Sequence, residues 1–560
     1  MSNERKSKAI FRTNTDNIYH QTSNSHSYTK RSSPQTSLFS TPPPTYDVLI
    51  FGSGPTSLSL ASLLSSSPTP PKIAVISKTY DDTWIPNYGS WVHEWYTLDE
   101  LYSSRGVQGL KTDGVDTTWD GTDCYFKEGI TDDEARVEVG AGYVRLSRDG
   151  LKRCFTDKEI GWDVVRDNHA AKCTGLNVAK GITVTKGYTE VELEGGGKVR
   201  GRVVVDGTGA ESKLTVRDKR SEEGYQIAYG VECEVEGEGV GGGKVGSYRT
   251  DRMTLFDYRC DWEEDEGKKS DMSNEPTFMY VMPLADNKIF FEETSLVASP
   301  AVSFRACKDR CTRRLASMDV KIKKVIEEEF CYIPMGGDVT RPGQRIIPIG
   351  AAAGVVHPST GYQVCRTLGC NLEYADAILK ELGRGEDFDA DLASARINDA
   401  VWTKEAIKQR NFAVFGGDFL MKQKVEGLQG FFSGFFELPF PMWAGFLAGM
   451  KNLPNNEKHE TWYARLIFGV TFLTKLPPSV GLGLVSSILT YTLKDGPNLI
   501  QSVTPLFGDP DSYMDAMKFR DAEGDVKAKM EAMEMCGCGD CEGRVEVDVP
   551  DTSNALSNPL

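Results

Sequence analysis

Two adjacent glutamates, Glu292 and Glu293, are the residues of this chain best suited to acid–base chemistry. They lie in Lys288–Leu296 (KIFFEETSL), whose composition predicts a strand. Adjacent side chains of a strand point to opposite faces, so only one of the two can face a given pocket. Burial beside Phe290 and Phe291 would raise the pKa of a carboxyl, and a carboxyl that is neutral at pH 7 can donate a proton. From the residues alone, two glutamates on the surface of a strand remain the alternative.

A glycine-rich turn, Gly52-Ser53-Gly54-Pro55-Thr56-Ser57, connects the predicted strand Tyr46–Gly52 to the predicted helix Leu58–Leu64. This is the position of the G-x-G-x-x-G turn, where N–H groups at a helix N-terminus receive a pyrophosphate. The sequence departs from that motif twice. Ser57 replaces the third glycine, and Ser77 stands where an acid that binds a ribose is expected. The turn predicts a dinucleotide site, with a simple packing turn as the alternative.

Two later segments place more small residues near the same cofactor. Asp206-Gly-Thr-Gly209 follows the apolar strand Gly201–Val205, and Ile346–Gly354 (IIPIGAAAG) is a strand that runs into small residues. Such segments allow the backbone to pass close to a flavin nucleotide, although each could also be an ordinary turn. The predicted cofactor-binding residues are Gly52, Ser53, Gly54, Pro55, Ser57, Ser77, Asp206, Gly209, Gly350 and Gly354.

These residues need a parallel sheet and a hairpin to position them. Tyr46–Gly52, Leu58–Leu64 and Lys72–Ser77 form a β-α-β unit, which predicts parallel strands. Pro276–Leu284 and Lys288–Leu296 flank Ala-Asp-Asn and predict a β-hairpin. The predicted fold class is therefore α/β, with a Rossmann-like FAD-binding domain interleaved with a mixed β-sheet substrate domain. A C-terminal helical, membrane-facing region completes the prediction.

The chain divides into four parts by composition. We expect a FAD-binding domain at 46–400 with the substrate domain inserted at about 215–345, and a helical region at 401–515. Residues 1–45 are basic, rich in serine and poor in acids, which is typical of a plastid transit segment. A disordered tail without a targeting function is the alternative. We expect residues 516–560 to form an acidic flexible tail. Its Cys536, Cys538 and Cys541 lack the second ligand pair of a zinc site, so no metal is predicted.

Composition excludes several functions. A net charge of −16 on 560 residues argues against a nucleic-acid-binding surface. Thirteen cysteines are too few for a disulfide scaffold and indicate reduced thiols. Residues 461–493 are apolar but are divided by Lys475, Pro477 and Pro478, so neither half can span a bilayer. Two short helices could dip into one leaflet, and a buried helical pair is the alternative.

Six segments give the sequence a specific resemblance. In order they are Asn87–Trp91 (NYGSW), Gly224–Gly230 (GYQIAYG), Pro276–Pro283 (PTFMYVMP), Phe290–Ser295 (FFEETS), Ile333–Gly337 (IPMGG) and Val356–Tyr362 (VHPSTGY). The chain closely resembles the plant-type lycopene cyclases over residues 46–450. It departs from them at Ser57, Ser77, Phe291 and His93, where the family usually has Gly, an acid, Leu and an acid.

The resemblance implies a cofactor, a substrate and a location. The implied cofactor is FAD in its reduced form, with NAD(P)H as electron source. The implied substrate is lycopene or a related polyene. The implied location is the plastid, at the thylakoid or envelope membrane surface. Cyclisation of a polyene end is a redox-neutral isomerisation, in which an acid protonates the terminal double bond and a base removes a ring proton. The product expected is a β-type ring.

The resemblance also assigns catalytic residues. Glu292 is the family's catalytic acid, Glu293 is its neighbour in the motif, and His357 is a base or a residue that holds the flavin end of the site. A structural histidine is the alternative for His357. The aromatic candidates for cation stabilisation are Trp91, Tyr229, Phe290 and Tyr362.

Three other functions remain open at this stage. One is an FAD- and NAD(P)H-dependent oxidoreductase, either a monooxygenase or a polyene reductase. Another is a relative that rearranges epoxy-xanthophylls, which needs the same proton chemistry. The third is a flavin-poor binding protein, suggested by Ser57 and Ser77.

Overall fold

The fold is taken from a computed structural model. It describes residues 42–156, 161–173, 179–217, 223–236, 243–260, 262, 272, 274–284, 287–495 and 497–517. The predicted transit segment, apart from residues 42–45, and the tail that carries Cys536, Cys538 and Cys541 lie outside these residues. Within the described residues, no helix combines the length and the apolar character needed to cross a membrane.

The first sheet contains the predicted parallel strands. Its order is β11-β12-β13-β1-β2-β8, and β21 also pairs with β13. The strands are β1 (Thr45–Phe51), β2 (Ile73–Ile76), β8 (Trp162–Val165), β11 (Ile182–Val184), β12 (Thr189–Glu192), β13 (Lys198–Asp206) and β21 (Ile347–Pro348). Strands β13, β1, β2 and β8 are parallel, and helix α1 (Pro55–Ser65) connects β1 to β2. The predicted β-α-β unit is confirmed.

The second sheet is mostly antiparallel, in the order β20-β14-β19-β18-β17-β5-β6. Its strands are β5 (Thr122–Tyr125), β6 (Arg136–Glu138), β14 (Glu223–Val235), β17 (Met253–Asp257), β18 (Phe278–Pro283), β19 (Lys288–Thr294) and β20 (Ile322–Gly336). Strands β18 and β19 pair in antiparallel fashion, which confirms the predicted hairpin. Strands β5 and β6 come between β2 and β8 in the chain, and the other strands of this sheet come between β13 and β21, so the two sheets are interleaved.

Smaller elements complete the sheets. They are β3 (Gly89–Trp91), β4 (Val115–Trp119), β7 (Tyr143–Leu146), β9 (Lys172–Cys173), β10 (Ala179–Lys180), β15 (Lys244–Val245) and β16 (Tyr248–Arg249). Strands β3, β7 and β4 form a three-stranded sheet. Four further helices lie among the strands: α2 (Val92–Ser104), α3 (Asp132–Ala135), α4 (Arg148–Thr156) and α5 (Phe304–Ser317).

The C-terminal region is helical, as predicted. Its helices are α6 (Val364–Leu382), α7 (Ala390–Val401), α8 (Lys404–Met421), α9 (Val425–Phe436), α10 (Phe440–Ala448), α11 (Trp462–Leu473), α12 (Pro478–Asp495) and α13 (Asn498–Val503). Phenylalanines of α9 and α10 pack in one core cluster with residues of β17 and β18. The apolar segment 461–493 forms two helices, α11 and α12, that break at Lys475–Pro477 because Pro478 begins the second helix.

Candidate active site

The glycine turn leads from β1 directly into α1. Gly52 has φ +100°, and a Cβ at this position would lie 2.5 Å from the carbonyl oxygen of Gly207, so only glycine fits. Gly54 precedes the helix, and a Cβ there would meet no atom within 4 Å. No side chain of the described residues caps α1, and Pro55 occupies its first turn. The open position at Gly54 lies beside this uncapped turn, which fits a pyrophosphate.

Ser57, which replaces the third glycine of the motif, is accommodated by Gly207. Ser57 is fully buried, and its Oγ lies 3.5 Å from the carbonyl oxygen of Gly207. A Cβ on Gly207 would be 2.2 Å from that Oγ. Ser57 thus packs against the turn that follows β13, and the departure leaves the close approach of the two loops intact.

Ser77 lies at the end of β2, beside the glycine turn. Its Oγ is 2.9 Å from Oγ of Ser53 and accepts a hydrogen bond from the N–H of Thr79 at 3.2 Å. Both hydroxyls are buried. The serine occupies the position of the ribose acid, but its hydroxyl is already bonded within the protein.

Asp206 organises the turn that follows β13. Its carboxylate accepts hydrogen bonds from the N–H and Oγ1 of Thr208 at 3.0 and 2.7 Å and from Oγ1 of Thr215 at 2.9 Å. It also accepts one from Ser212. Asp206 is fully buried, so it shapes the loop up to Gly209, around whose Cβ position there is open space.

The segment after β21 lies against the start of α1. A Cβ on Gly350 would be 2.6 Å from Oγ1 of Thr56. The carbonyl oxygen of Gly354 accepts a hydrogen bond from the buried Arg410 at 3.3 Å. The structure therefore brings the glycine turn, the 206–209 turn and the 350–354 turn together, as the predicted flavin site requires.

A cavity of about 640 Å³ begins at Pro55 and Thr56 and extends between the second sheet and α9. Its lining is largely aromatic where it passes α9, with Phe256, Phe278, Phe290, Phe432, Phe435 and Phe436. Among the described lining residues, Glu292 alone carries a carboxyl, amino, guanidinium or imidazole group. One ionisable acid therefore faces an apolar chamber that starts at the glycine turn.

Glu292 is half-buried, with its side chain on the cavity. Desolvation and, next, the nearby carboxyl of Glu329 raise the pKa of Glu292 to about 8. Tyr280 lies directly opposite on β18, and the Tyr143 hydroxyl bonds to the hydroxyls of Tyr280 and Tyr362. At neutral pH the Glu292 carboxyl is protonated, which is the state that a proton donor needs.

Glu293 points away from the cavity, as strand alternation predicts. It is fully buried and forms a two-point ion pair with Arg314 of α5, at 2.9 and 3.1 Å. Oγ1 of Thr277 donates a third hydrogen bond at 2.6 Å. Glu293 therefore anchors α5 to the sheet.

His357 does not line the cavity. It is buried, and its Nε2 lies 3.0 Å from the carbonyl oxygen of Phe446, to which it donates. The N–H of Ser359 donates to Nδ1 at 3.3 Å. Desolvation and, next, the charge of Arg366 lower the pKa of His357 well below its usual value. Both ring nitrogens are occupied, so the geometry fits a residue that holds the 357–362 turn to α10.

The aromatic candidates divide between two environments. Phe290 and Tyr362 line the cavity. Trp91 packs against Trp443 with ring centroids 5.2 Å apart, and Tyr229 donates its hydroxyl to Glu328 at 2.6 Å on the other face of the sheet.

Two polar residues at the site were not singled out from the sequence. Asn87 lines the cavity and holds the buried Glu329. Asn87 does lie in the NYGSW segment, but Glu329 is the last of three consecutive glutamates, and nothing in that run indicates which one is buried.

Comparison with known proteins agrees with the resemblance seen in the sequence. The family model described as "Lycopene cyclase protein" matches residues 47–460. The chloroplastic lycopene beta cyclase of Arabidopsis thaliana is 32% identical over 458 residues, covering 81% of this chain and 83% of that protein. The chloroplastic lycopene beta cyclase of Nicotiana tabacum is 34% identical over 410 residues, covering 73% and 75%.

A solved structure shares the fold. The halogenase PltM in complex with phloroglucinol and FAD has a TM-score of 0.50 and 10% sequence identity, with 82% of this chain and 94% of that chain covered. At this identity the likeness shows the fold alone.

Proposed function

The chain belongs to the lycopene cyclase family, and from this we propose that it cyclises the linear ends of lycopene to β-type rings in carotenoid biosynthesis. One observation carries the proposal: Glu292, whose pKa is raised to about 8, is the single carboxyl group of the described cavity lining. Redox enzymes of this fold have no need of such an acid, whereas protonation of an unactivated double bond requires one.

In the proposed reaction, Glu292 donates its proton to the terminal double bond of the bound polyene. An internal double bond then attacks the resulting cation and closes the ring. Loss of a ring proton forms the product, so one proton enters and one leaves with no net redox change. The aromatic rings of Phe290 and Phe432 line the chamber, where they stabilise positive charge by roughly 0.5–2 kcal/mol each.

His357 is assigned a positioning role in this proposal. Its Nε2–H is held by the Phe446 carbonyl and its Nδ1 by Ser359, which leaves no lone pair for a ring proton. The carboxylate that remains on Glu292 after proton donation is the single carboxylate of the described cavity lining. We assign it as the acceptor of the ring proton, which returns the enzyme to its starting state.

The residues present fit FAD. The open space at Gly54, the uncapped start of α1 and the open position at Gly209 form a cradle for its phosphates. When bound in its reduced form, the flavin supplies an electron-rich ring that stabilises cationic character. At the ribose position the protein would present Ser53 and Ser77, whose hydroxyls are bonded to each other, in place of a carboxylate. NAD(P)H is proposed as the electron source that keeps the cofactor reduced.

We also propose that α11 and α12 rest on a plastid membrane. Each helix exposes one apolar face, formed by Tyr463, Leu466, Ile467 and Val470 on α11 and by Leu482, Val485, Leu489 and Leu493 on α12. We call these eight side chains the apolar surface. Its spacing follows the helical period, so each face is continuous. A lipid-soluble polyene would reach the enzyme at such a surface, and the chloroplastic relatives favour the plastid.

Expression in bacteria that accumulate lycopene tests the function. We expect β-ringed carotenes in the pigment extract, and none from cells that express Glu292→Gln at the same level. Lycopene that stays linear in the presence of folded, flavin-loaded protein would overturn the proposal. Parallel incubation with an epoxy-xanthophyll tests whether the enzyme instead rearranges that substrate.

A further inference from the structure

Glu329 lies in the same row of the second sheet as Glu292. Strand β14 runs between β19 and β20, and its Gly230 pairs with Glu292 on one side and with Glu329 on the other. Residues in one such row share a face of the sheet. The two glutamates therefore point to the same side, with a single residue between them.

That intervening residue has no side chain, and none would fit. A Cβ on Gly230 would lie 2.5 Å from Cζ of Phe290 and 3.5 Å from Cβ of Glu329. The edge of the Phe290 ring takes the place that a side chain on Gly230 would occupy, so an apolar group lies over the residue between the two glutamates. The charge of Glu329 therefore acts on Glu292 in a desolvated surrounding, where screening by water is weak.

The two carboxyls differ in their hydrogen-bond donors. Glu329 accepts from the N–H of Asn87 at 3.1 Å, from Nδ2 of Asn87 at 2.5 Å and from Sγ of Cys331 at 2.8 Å. Among the described residues, no donor reaches the carboxyl of Glu292. Donors stabilise the charged form of a carboxyl, so the pair is built with its negative charge at Glu329.

Asn87, the main hydrogen-bond donor to Glu329, is itself held by Arg145. Nη2 of Arg145 donates to Oδ1 of Asn87 at 2.5 Å and to Oε2 of Glu232 at 2.6 Å. Arg145 thereby orients the amide so that its NH₂ group faces Glu329. The guanidinium charge is balanced by Glu232, which also pairs with Lys288.

We propose that Glu329 is a positioning residue for the reaction, whose fixed negative charge keeps the shared proton on Glu292, the carboxyl that faces the substrate. This inference rests on the proposed function for its catalytic meaning. The other titratable groups around Glu292 are Tyr280 of β18, Cys331 of β20 and Cys307 of α5, with Tyr143 and Tyr362 beyond Tyr280. The guanidinium of Arg145 of β7 lies over the neighbouring Phe290 ring, 5.9 Å from its centroid.

Glu329→Gln tests the proposal, because it keeps the size of the side chain and removes its charge. The protonated Glu292 carboxyl is followed by its infrared C=O band in the flavin-loaded protein without substrate, identified as the band that Glu292→Gln removes. We expect its titration midpoint to fall by about one pH unit or more, since a neighbouring like charge is gone. The alkaline limb of lycopene conversion should fall by the same amount, roughly tenfold in activity at a fixed alkaline pH.

The matched control is Glu328→Gln, the same change one residue earlier on the opposite face, where Glu328 bonds Tyr229 and Lys308. It should leave the midpoint unchanged. Glu329→Asp retains the charge and should keep an infrared midpoint near the parental one. If the glutamine variant does not fold, a midpoint that falls by about one pH unit or more in a folded Glu329→Asp protein would overturn the proposal, because the charge is still present.

Two results would count against the assignment, and a third would separate it from the function. Equal loss of activity at every pH with an unmoved infrared midpoint would make Glu329 merely structural. A midpoint that moves as much in Glu328→Gln as in Glu329→Gln would overturn the specific coupling. A shifted midpoint in a protein that never cyclises lycopene would support the coupling and refute the proposed function.

Discussion

At the scale of single residues, two neighbouring glutamates have opposite environments because of strand alternation. Glu292 faces an apolar cavity with no donor among the described residues, whereas Glu293 is held by Arg314 and Thr277. The same chemical change at the two positions should therefore have different consequences, one for chemistry and one for stability.

Glu292→Gln should abolish cyclisation and preserve folding and FAD binding, because it removes the transferable proton but keeps size and polarity. General acid–base catalysis contributes about 10²–10⁴-fold, so the loss should be at least of that order. Conversion of lycopene in lipid vesicles by purified, reduced, flavin-loaded protein measures it.

Glu293→Gln is the comparison variant. It leaves Arg314 buried without its full partner, so the free energy of unfolding should fall by about 3–5 kcal/mol. Conversion per flavin-loaded molecule should persist. Near-parental conversion by Glu292→Gln would contradict the catalytic role of Glu292. Loss of conversion only in Glu293→Gln would exchange the two roles.

Two glycines of the first turn also have separable roles. Gly54→Val should leave the fold intact, because its Cβ position is open, but it places methyl groups where the phosphates would lie. Gly52→Ala should instead impair folding, since its Cβ would lie 2.5 Å from a carbonyl oxygen at φ +100°. Circular dichroism and FAD fluorescence titration distinguish the two. FAD binding by Gly54→Val at parental affinity would place the cofactor elsewhere.

At the scale of elements, most of what the sequence predicted concerns local pattern. The β-α-β unit, the 278–294 hairpin and the break between α11 and α12 each depend on residues close together in the chain. The partners of Glu329 and His357 could not be predicted in this way, because Asn87 lies 242 positions from Glu329 and Phe446 lies 89 positions from His357. Which glutamate of a run is buried depends on tertiary packing, which no single periodicity reveals.

Helices α11 and α12 carry the element-scale prediction. Replacing Leu482, Leu489 and Leu493 by lysine should reduce co-flotation with vesicles of plastid lipid composition severalfold, because each buried leucine contributes about 1.5–3 kcal/mol. The control replaces Ile85, Val184 and Val325, which are exposed apolar residues elsewhere, by lysine. Equal flotation of both variants would contradict a membrane role for the apolar surface.

At the scale of the whole molecule, one acid with a raised pKa, Glu292, should make stability depend on pH. Folding raises the pKa of Glu292 from 4.5 to about 8, so between these values the folded protein keeps a proton that the unfolded chain has lost. The contribution of this group to stability is fully present below about pH 4.5 and declines up to about pH 8. Glu292→Gln lacks this decline.

Urea unfolding of both proteins at pH 6 and pH 8.5 measures that difference. The glutamine variant should gain roughly 1–3 kcal/mol relative to the parent on going to the higher pH. A constant difference at both pH values would show that Glu292 does not titrate in this window.

The phenylalanine-lined end of the cavity affects which products the enzyme releases. A carbocation survives only as long as no water molecule reaches it, and Phe256, Phe278, Phe432, Phe435 and Phe436 offer water no hydrogen-bond partner there. In the proposed reaction the wall would therefore limit capture of the cation by water as well as contact the hydrocarbon. Opening it, for instance with Phe432→Ser, should divert part of the flux to hydroxylated carotenes, and the fraction of such alcohols would report how dry the chamber is during turnover.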